Sequence, residues 1–214
     1  MARRAATRVQ VSAGERIMPT FLHVGCGQKR KNETTAGFNR PEWSEVRLDI
    51  DPDVAPDVVS DMVDMAAVAT GSMDAVFSSH NIEHLYQHQV PAALGEFRRV
   101  LKPDGFVVIG CPDLQTVAAL IAQDRLTEPA YRSPAGEVTP HDMLYGFGPQ
   151  MARGHLFMAH RGGFTRTSML EALRRAGFQR AGARRIRFDL WVVAVNGRAS
   201  DAEIAQLMAD HLPR

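Results

Sequence analysis

The stretch Phe106-Val107-Val108-Ile109-Gly110 carries no polar side chain. A strand with one wet face alternates apolar and polar residues, whereas a continuously apolar strand is covered on both faces. The segment is therefore predicted to be a central parallel strand with helices above and below it. What precedes it agrees. Residues 91–101 place Ala93, Leu94, Phe97, Val100 and Leu101 at helical spacing. Pro91 suits the first turn, and Arg98, Arg99 and Lys102 sit where the helix dipole favours cations. Lys102-Pro103-Asp104-Gly105 then reads as a turn. Helix, turn and buried strand form the repeating unit of an α/β sheet.

The remaining segments extend this pattern. Phe21-Leu22-His23-Val24 is a short strand stopped by Gly25-Cys26-Gly27. Residues 28–42 read as a long loop or an eroded helix. Glu45 to Ile50 is a second strand, Asp57 to Ser60 a third, and Asp74 to Ser79 a fourth. A helix is expected over 113–123 and another from Thr167 to Arg175, closed by Gly177. Ala183 to Val195 reads as two final strands or a hairpin, and Asp201 to His211 as a short helix. The expected organisation is a loose arm over 1–18, one domain over 19–197 and a helical tail over 198–214. Residues 124–163, rich in Gly, Pro, His and Met with little period, read as a substrate-side insert.

The 214 residues, 45% hydrophobic and 23% charged, suit a single globular domain with its own core. Two cysteines exclude a disulfide scaffold, and no apolar run has membrane-spanning length. A net charge of +1 gives no reason to expect nucleic acid. Residues 41–70 hold eight acids and one arginine, and residues 160–198 nine arginines and two acids. That contrast reads as two solvated faces, with a basic rim near an anionic substrate as the sharper alternative. A cytoplasmic monomer or homodimer is expected. The arginine-rich start also has the look of a transit peptide.

Glycines after a strand let a ligand approach the backbone. Asp49 follows Gly27 by 22 residues and ends the second strand. In an open parallel sheet these strand ends are neighbours, and a carboxylate there can accept both hydroxyls of a ribose. Asp51 is the alternative acid. Arg30 stands where a nicotinamide fingerprint needs its third glycine.

Five segments occur in a telling order. They are Leu22-His23-Val24-Gly25-Cys26-Gly27, Val46-Arg47-Leu48-Asp49-Ile50, Asp61-Met62-Val63-Asp64-Met65, Met73-Asp74-Ala75-Val76-Phe77-Ser78-Ser79-His80 and Phe97-Arg98-Arg99-Val100-Leu101-Lys102-Pro103-Asp104-Gly105. In order and spacing they resemble a class I S-adenosylmethionine-dependent methyltransferase of the broad small-molecule type. The resemblance implies a Rossmann-like, mostly parallel seven-stranded sheet with helices on both faces and a reversed last strand. It implies S-adenosyl-L-methionine as cofactor and a small-molecule acceptor. Gly25, Cys26 and Gly27 would pass under the methionine moiety, and Asp49 and Ile50 would meet the ribose end. Asp61 and Met62 would read the adenine edge, and Ser79 and His80 would face the reacting methyl. Two positions depart from the family pattern. His23 replaces the usual acid before the glycines, and Lys29 replaces a later glycine. A partly rebuilt pocket of modest affinity is therefore expected.

His80-Asn81-Ile82-Glu83-His84 also matches an inverted zinc-protease pattern, with His80 and His84 as ligands and Glu83 as base. The alternatives to methyl transfer are thus a zinc hydrolase and a nucleoside-cofactor-binding protein without turnover. The methyltransferase reading expects no metal. It places His80 and His84 on the substrate side and takes His141 and Tyr145 of the insert as further catalytic candidates, among its His155 and His160. Met143, Met151 and Met158 are expected to pack the insert, Trp191 and Phe188 to fill the sheet face, and Cys26 to be chosen for its small size.

Overall fold

In the computed structural model residues 18–213 are described. The expected arm over 1–18 lies, but for Met18, outside them. The strands are β1 (Thr20–Val24), β2 (Ser44–Asp49), β3 (Val58–Val59), β4 (Met73–Ser79), β5 (Leu101–Pro112), β6 (Tyr131–Ser133), β7 (Gly136–Val138), β8 (Arg180–Ile186) and β9 (Asp189–Val195). The helices are α1 (Val90–Val100), α2 (Leu114–Ile121), α3 (Pro140–Tyr145), α4 (Gly148–Met151), α5 (Arg166–Arg175) and α6 (Asp201–His211). Seven strands form one sheet in the order β3-β2-β1-β4-β5-β9-β8. All neighbours on the β3 to β5 side pair parallel, and β9 runs antiparallel to both β5 and β8. This is the expected sheet with its last strand reversed, and the segment 183–195 is a hairpin.

The apolar stretch of β5 is buried on both sides. Val107 and Ile109 join the core under α1 and α5, and Phe106 and Val108 join the core on the opposite face. The turn before it does not interrupt the strand. Met73 pairs with Leu101 and Ala75 with Phe106, so Lys102–Gly105 bulges out of β5. Such bulges keep a strand in its sheet while turning the extra residues aside.

On the second face no long helix follows β1. Residues 28–42 are a loop with one 3-10 turn, Lys31–Glu33, and its Phe38 and the following Trp43 plug the face. Phe38 lies 4.5 Å from Phe21 and 4.6 Å from the His211 ring, centroid to centroid. Ile204 and Leu212 join the same cluster, so α6 closes this core instead of trailing from it.

The insert has structure of its own. The β6–β7 hairpin and α3 pack on α2 through Val117, Val138 and Met143. Met143 thus plays the packing role expected of it. Among the described residues no helix is long and apolar enough to cross a membrane.

One buried cation ties the cofactor-side loops together. Arg47 on β2 is among the largest fully enclosed side chains. Its guanidinium donates to the carbonyls of Gly27 (2.5 Å), Lys29 (3.2 Å), Ala55 (2.7 Å) and Val54 (3.3 Å). Its backbone N–H donates to the Asp57 carboxylate at 2.7 Å. A guanidinium has five donors in a fixed fork, which suits several convergent carbonyls. Hydrogen bonds to a charged group contribute about 1.5–3 kcal/mol each. Arg47→Met is expected to cost at least about 3 kcal/mol and to lower the melting temperature by about 6–12 °C. An unchanged melting curve would show that the loops hold without it.

His211 supplies a second test. It is 6% exposed, and its Nδ1 is buried without a partner. Burial pulls its pKa down to about 4, against attraction from Asp210. The unfolded ring binds a proton near pH 6.5. Between pH 6.5 and 4 the unfolded chain therefore takes up more protons, and stability falls as pH falls. His23 and His160 shift in the same direction. His211→Phe should leave melting at pH 7 unchanged or higher and flatten part of the acid limb. An acid limb as steep as that of the unaltered protein would contradict this role.

Candidate active site

A cavity of about 1240 Å³ opens at the carboxyl ends of β1, β2 and β4. That edge is where open α/β sheets bind ligands. A smaller cavity of about 390 Å³ lies at the opposite end, beside Trp43 and Lys102. The large cavity is walled by Gly25, Cys26, Gly27, Asp49, Ile50, Asp61, Met62, Ser79, His80 and His84. All nine cofactor candidates therefore share one space with two of the four catalytic candidates.

The glycine turn is shaped by its neighbours. Gly25 has φ +62°, and a Cβ there would sit 2.2 Å from the Asn81 carboxamide. The Asn81 amide donates to Val24 O at 2.9 Å and Ser79 O at 3.0 Å, joining the ends of β1 and β4. Gly27 has φ +52°, and a Cβ there would meet no protein atom. Its N–H donates to the Asp49 carboxylate at 2.7 Å. The other Asp49 oxygen accepts the Asp51 N–H at 3.0 Å. Asp49 thus clamps the glycine loop while facing the cavity. Ile50 stands 47% exposed beside it, an open apolar contact for a planar ring. Asp61 accepts the Val63 N–H at 3.1 Å, which fixes the next loop.

His23, the departure in β1, is buried and lines the cavity. Its Nδ1 lies 2.7 Å from a Glu45 oxygen. Burial lowers its pKa, although Glu45 opposes this. A neutral ring that donates from Nδ1 to a carboxylate keeps its lone pair on Nε2. Cys26 is buried, and burial pushes its thiol up to about 11. It stays a thiol at neutral pH and is a packing residue, not a nucleophile.

His80 follows β4 at φ +57°, a conformation uncommon outside glycine. Its side chain is 41% exposed, with Nδ1 3.5 Å from Glu83 and Nε2 3.6 Å from Asp189. Desolvation works against the charged ring, but these two carboxylates outweigh it and raise the pKa to about 10. The two carboxylates thus favour the protonated ring. His84 has its Nδ1 3.2 Å from Ala159 O and its Nε2 3.2 Å from His80 O.

The zinc-hydrolase arrangement is not present. The motif forms a single 3-10 turn, Ile82–His84, not an α-helix presenting two histidines on one face. Glu83 is 1% exposed and stands behind the cavity wall, where it has no access to a substrate water.

The insert meets the cavity through different residues from those expected. His141 and Tyr145 pack ring against ring at 4.9 Å on α3, are exposed, and do not line the cavity. Helical spacing brings them to each other, on the outer side of the insert. Gln150, His155, Phe157, Met158 and Arg161 form that wall instead. Trp191, expected only as sheet filling, also reaches it. Arg47 and Asn81 were not singled out from sequence. A lone cation in an acidic stretch was the only signal for Arg47.

Residues 22–109 match the family described as "Methyltransferase domain". Among curated proteins no sequence matches the chain. Several solved structures share its fold. A 1,6-didemethyltoxoflavin-N1-methyltransferase from Burkholderia thailandensis, solved with 1,6-didemethyltoxoflavin and S-adenosylhomocysteine, is 15% identical with a TM-score of 0.53. That match covers 84% of this chain and 72% of the other. A SAM-dependent methyltransferase from Methanosarcina mazei is 15% identical, covering 86% and 95%, with a TM-score of 0.56. An O-methyltransferase family protein from Burkholderia thailandensis is 13% identical with a TM-score of 0.55. The chain covers only 52% of that protein's length. The match spans the glycine turn, the Asp49 strand end and the β4 edge that together wall the cavity, so residues 22–109 are similar to a methyltransferase domain.

Proposed function

We propose that the protein methylates a small molecule bearing an acidic oxygen, held between the β4 edge and the insert. The observation that carries this reading is the charge on the acceptor side. The Arg161 guanidinium stands on that wall with the His80 ring, and Phe157, Met158 and Trp191 give apolar surface beside them. Cations favour an oxygen that is anionic or readily becomes so. We also place the protein in the cytoplasm, in keeping with two free, buried cysteines.

The residues present fit the cofactor. Gly27 leaves open room where a side chain would stand, Asp49 offers carboxylate oxygens for ribose hydroxyls, and Ile50 and Met62 offer apolar contacts for adenine. Asp61 is the acceptor for its amino edge. In this reading the Nε2 lone pair of His23 accepts from the amino group of the methionine moiety, the task of the missing acid. Bound S-adenosylmethionine supplies an already activated sulfonium methyl. The protein's part is alignment of the acceptor oxygen and exclusion of water. His80 orients that oxygen and does not take its proton.

Calorimetry with S-adenosylhomocysteine tests the cofactor half. Asp49→Ala should weaken binding about 10- to 150-fold. Asp49→Asn, which keeps an oxygen for the Gly27 N–H, separates the lost charge from loop distortion. Unchanged affinity in both variants would refute the ribose assignment. A loss with His23→Phe that His23→Gln partly restores is expected if Nε2 is an acceptor. Release of S-adenosylhomocysteine from panels of phenols, carboxylic acids and amines tests the acceptor half. Turnover confined to amines would overturn the oxygen assignment.

A further inference from the structure

Glu83 presents an unsolved problem of charge. Both carboxylate oxygens are buried, and neither accepts a hydrogen bond. The nearest cation, the Nδ1 of His80, stands off at 3.5 Å. An ionised carboxylate without hydrogen bonds is among the costliest groups to bury. Two further histidines converge on it. His84 is the next residue, and His160 arrives from the end of the insert. One oxygen of Glu83 and one ring nitrogen from each histidine lie within 4.8 Å of one another.

The histidines are prepared as ligands. His160 Nδ1 sits 2.9 Å from Met143 O, so the ring donates there and keeps its Nε2 lone pair. A ligand histidine held through its other nitrogen by a carbonyl is the usual support of a metal site. His84 has carbonyl oxygens 3.2 Å from both nitrogens. Binding a metal exchanges one of these carbonyl contacts for the ion. Backbone bonds fix the junction: Glu83 O accepts from Arg161 N at 2.9 Å and Gly162 N at 3.0 Å, and His160 N donates to Tyr145 O.

We propose that Glu83, His84 and His160 bind a divalent transition-metal ion at the seam between the β4 edge and the insert. Two imidazoles and one carboxylate select zinc, manganese, iron or cobalt over magnesium or calcium. With the donors within 4.8 Å of one another, metal–ligand distances of about 2.0–2.2 Å ask each to draw in by less than about 1 Å. Three protein ligands leave a coordination position free, and His84 lines the cavity. That position takes water or an oxygen of the acceptor. The second role rests on the methyl-transfer reading, while the site itself does not. It makes Glu83 a ligand, in contrast to the hydrolase pattern that makes it a base, and supplies a metal where the order of segments predicts none.

The test uses the full chain, stripped with chelator and dialysed. Zinc and cobalt are titrated by calorimetry, and cobalt also by its visible absorption. One equivalent is expected to bind with micromolar affinity or better. Glu83→Gln and His160→Ala should each weaken binding at least tenfold, with circular dichroism confirming the fold. His88→Ala, an exposed histidine nearby, should bind as the unaltered chain does. No binding of either ion, or undiminished binding by the folded His160→Ala variant, would overturn the site. S-Adenosylhomocysteine binding is measured on the same samples. Its loss in the unaltered chain would count against the cofactor reading alone, because metal binding is read separately.

Discussion

The buried Arg47 guanidinium fixes the distance between the loop after β1 and the loop after β2. Each loop turns carbonyls inward that have no strand partner, and both sets end on one cation. The same arrangement frees the amides to face the other way. Gly27 N–H is thereby presented to Asp49, and Asp49 to the cavity. Asp57 braces the same residue through the backbone, accepting the Arg47 N–H.

A second tie crosses between β1 and β4. The Asn81 carboxamide occupies the space where a side chain on Gly25 would stand. The left-handed turn at His80 brings it there. The glycine-turn side and the insert side of the cavity are joined at this contact, and His80 sits on the joint. Its ring lies between Glu83, three residues on, and Asp189 on β9, so one local and one distant carboxylate face it.

What was legible in the sequence follows a physical division. Periodicity reports burial, so β5, α1, α5 and the hairpin after it could be read directly. The glycine turn and Asp49 were legible because a positive φ and a strand-end carboxylate leave local marks. Contacts across long separations leave none. Nothing near Gly25 announces Asn81, and nothing near Glu83 announces His160, 77 residues on. The insert shows the limit most clearly. Its composition marked it as substrate-side, but only its fold decides that His155 and Arg161 face the cavity and that His141 and Tyr145 do not. Residues 28–42 remained ambiguous because Phe38 and Trp43 obtain their burial from α6 and β5, not from a periodic partner nearby.

The packing of α6 has a consequence for how the molecule comes into being. Leu212 and Pro213 stand on the cavity wall, and His211 rests on the aromatic cluster that backs β1. The glycine turn and these residues are separated by some 185 positions of chain. On the ribosome, the first strands emerge long before the segment that covers them. Phe21, Phe38 and Phe106 must therefore wait, exposed or sheltered by a chaperone, until α6 arrives. Contacts of such high sequence separation form late and slow the search for the native state. The large cavity is thus one of the last features of the protein to form, although the sequence that begins it is synthesised among the first.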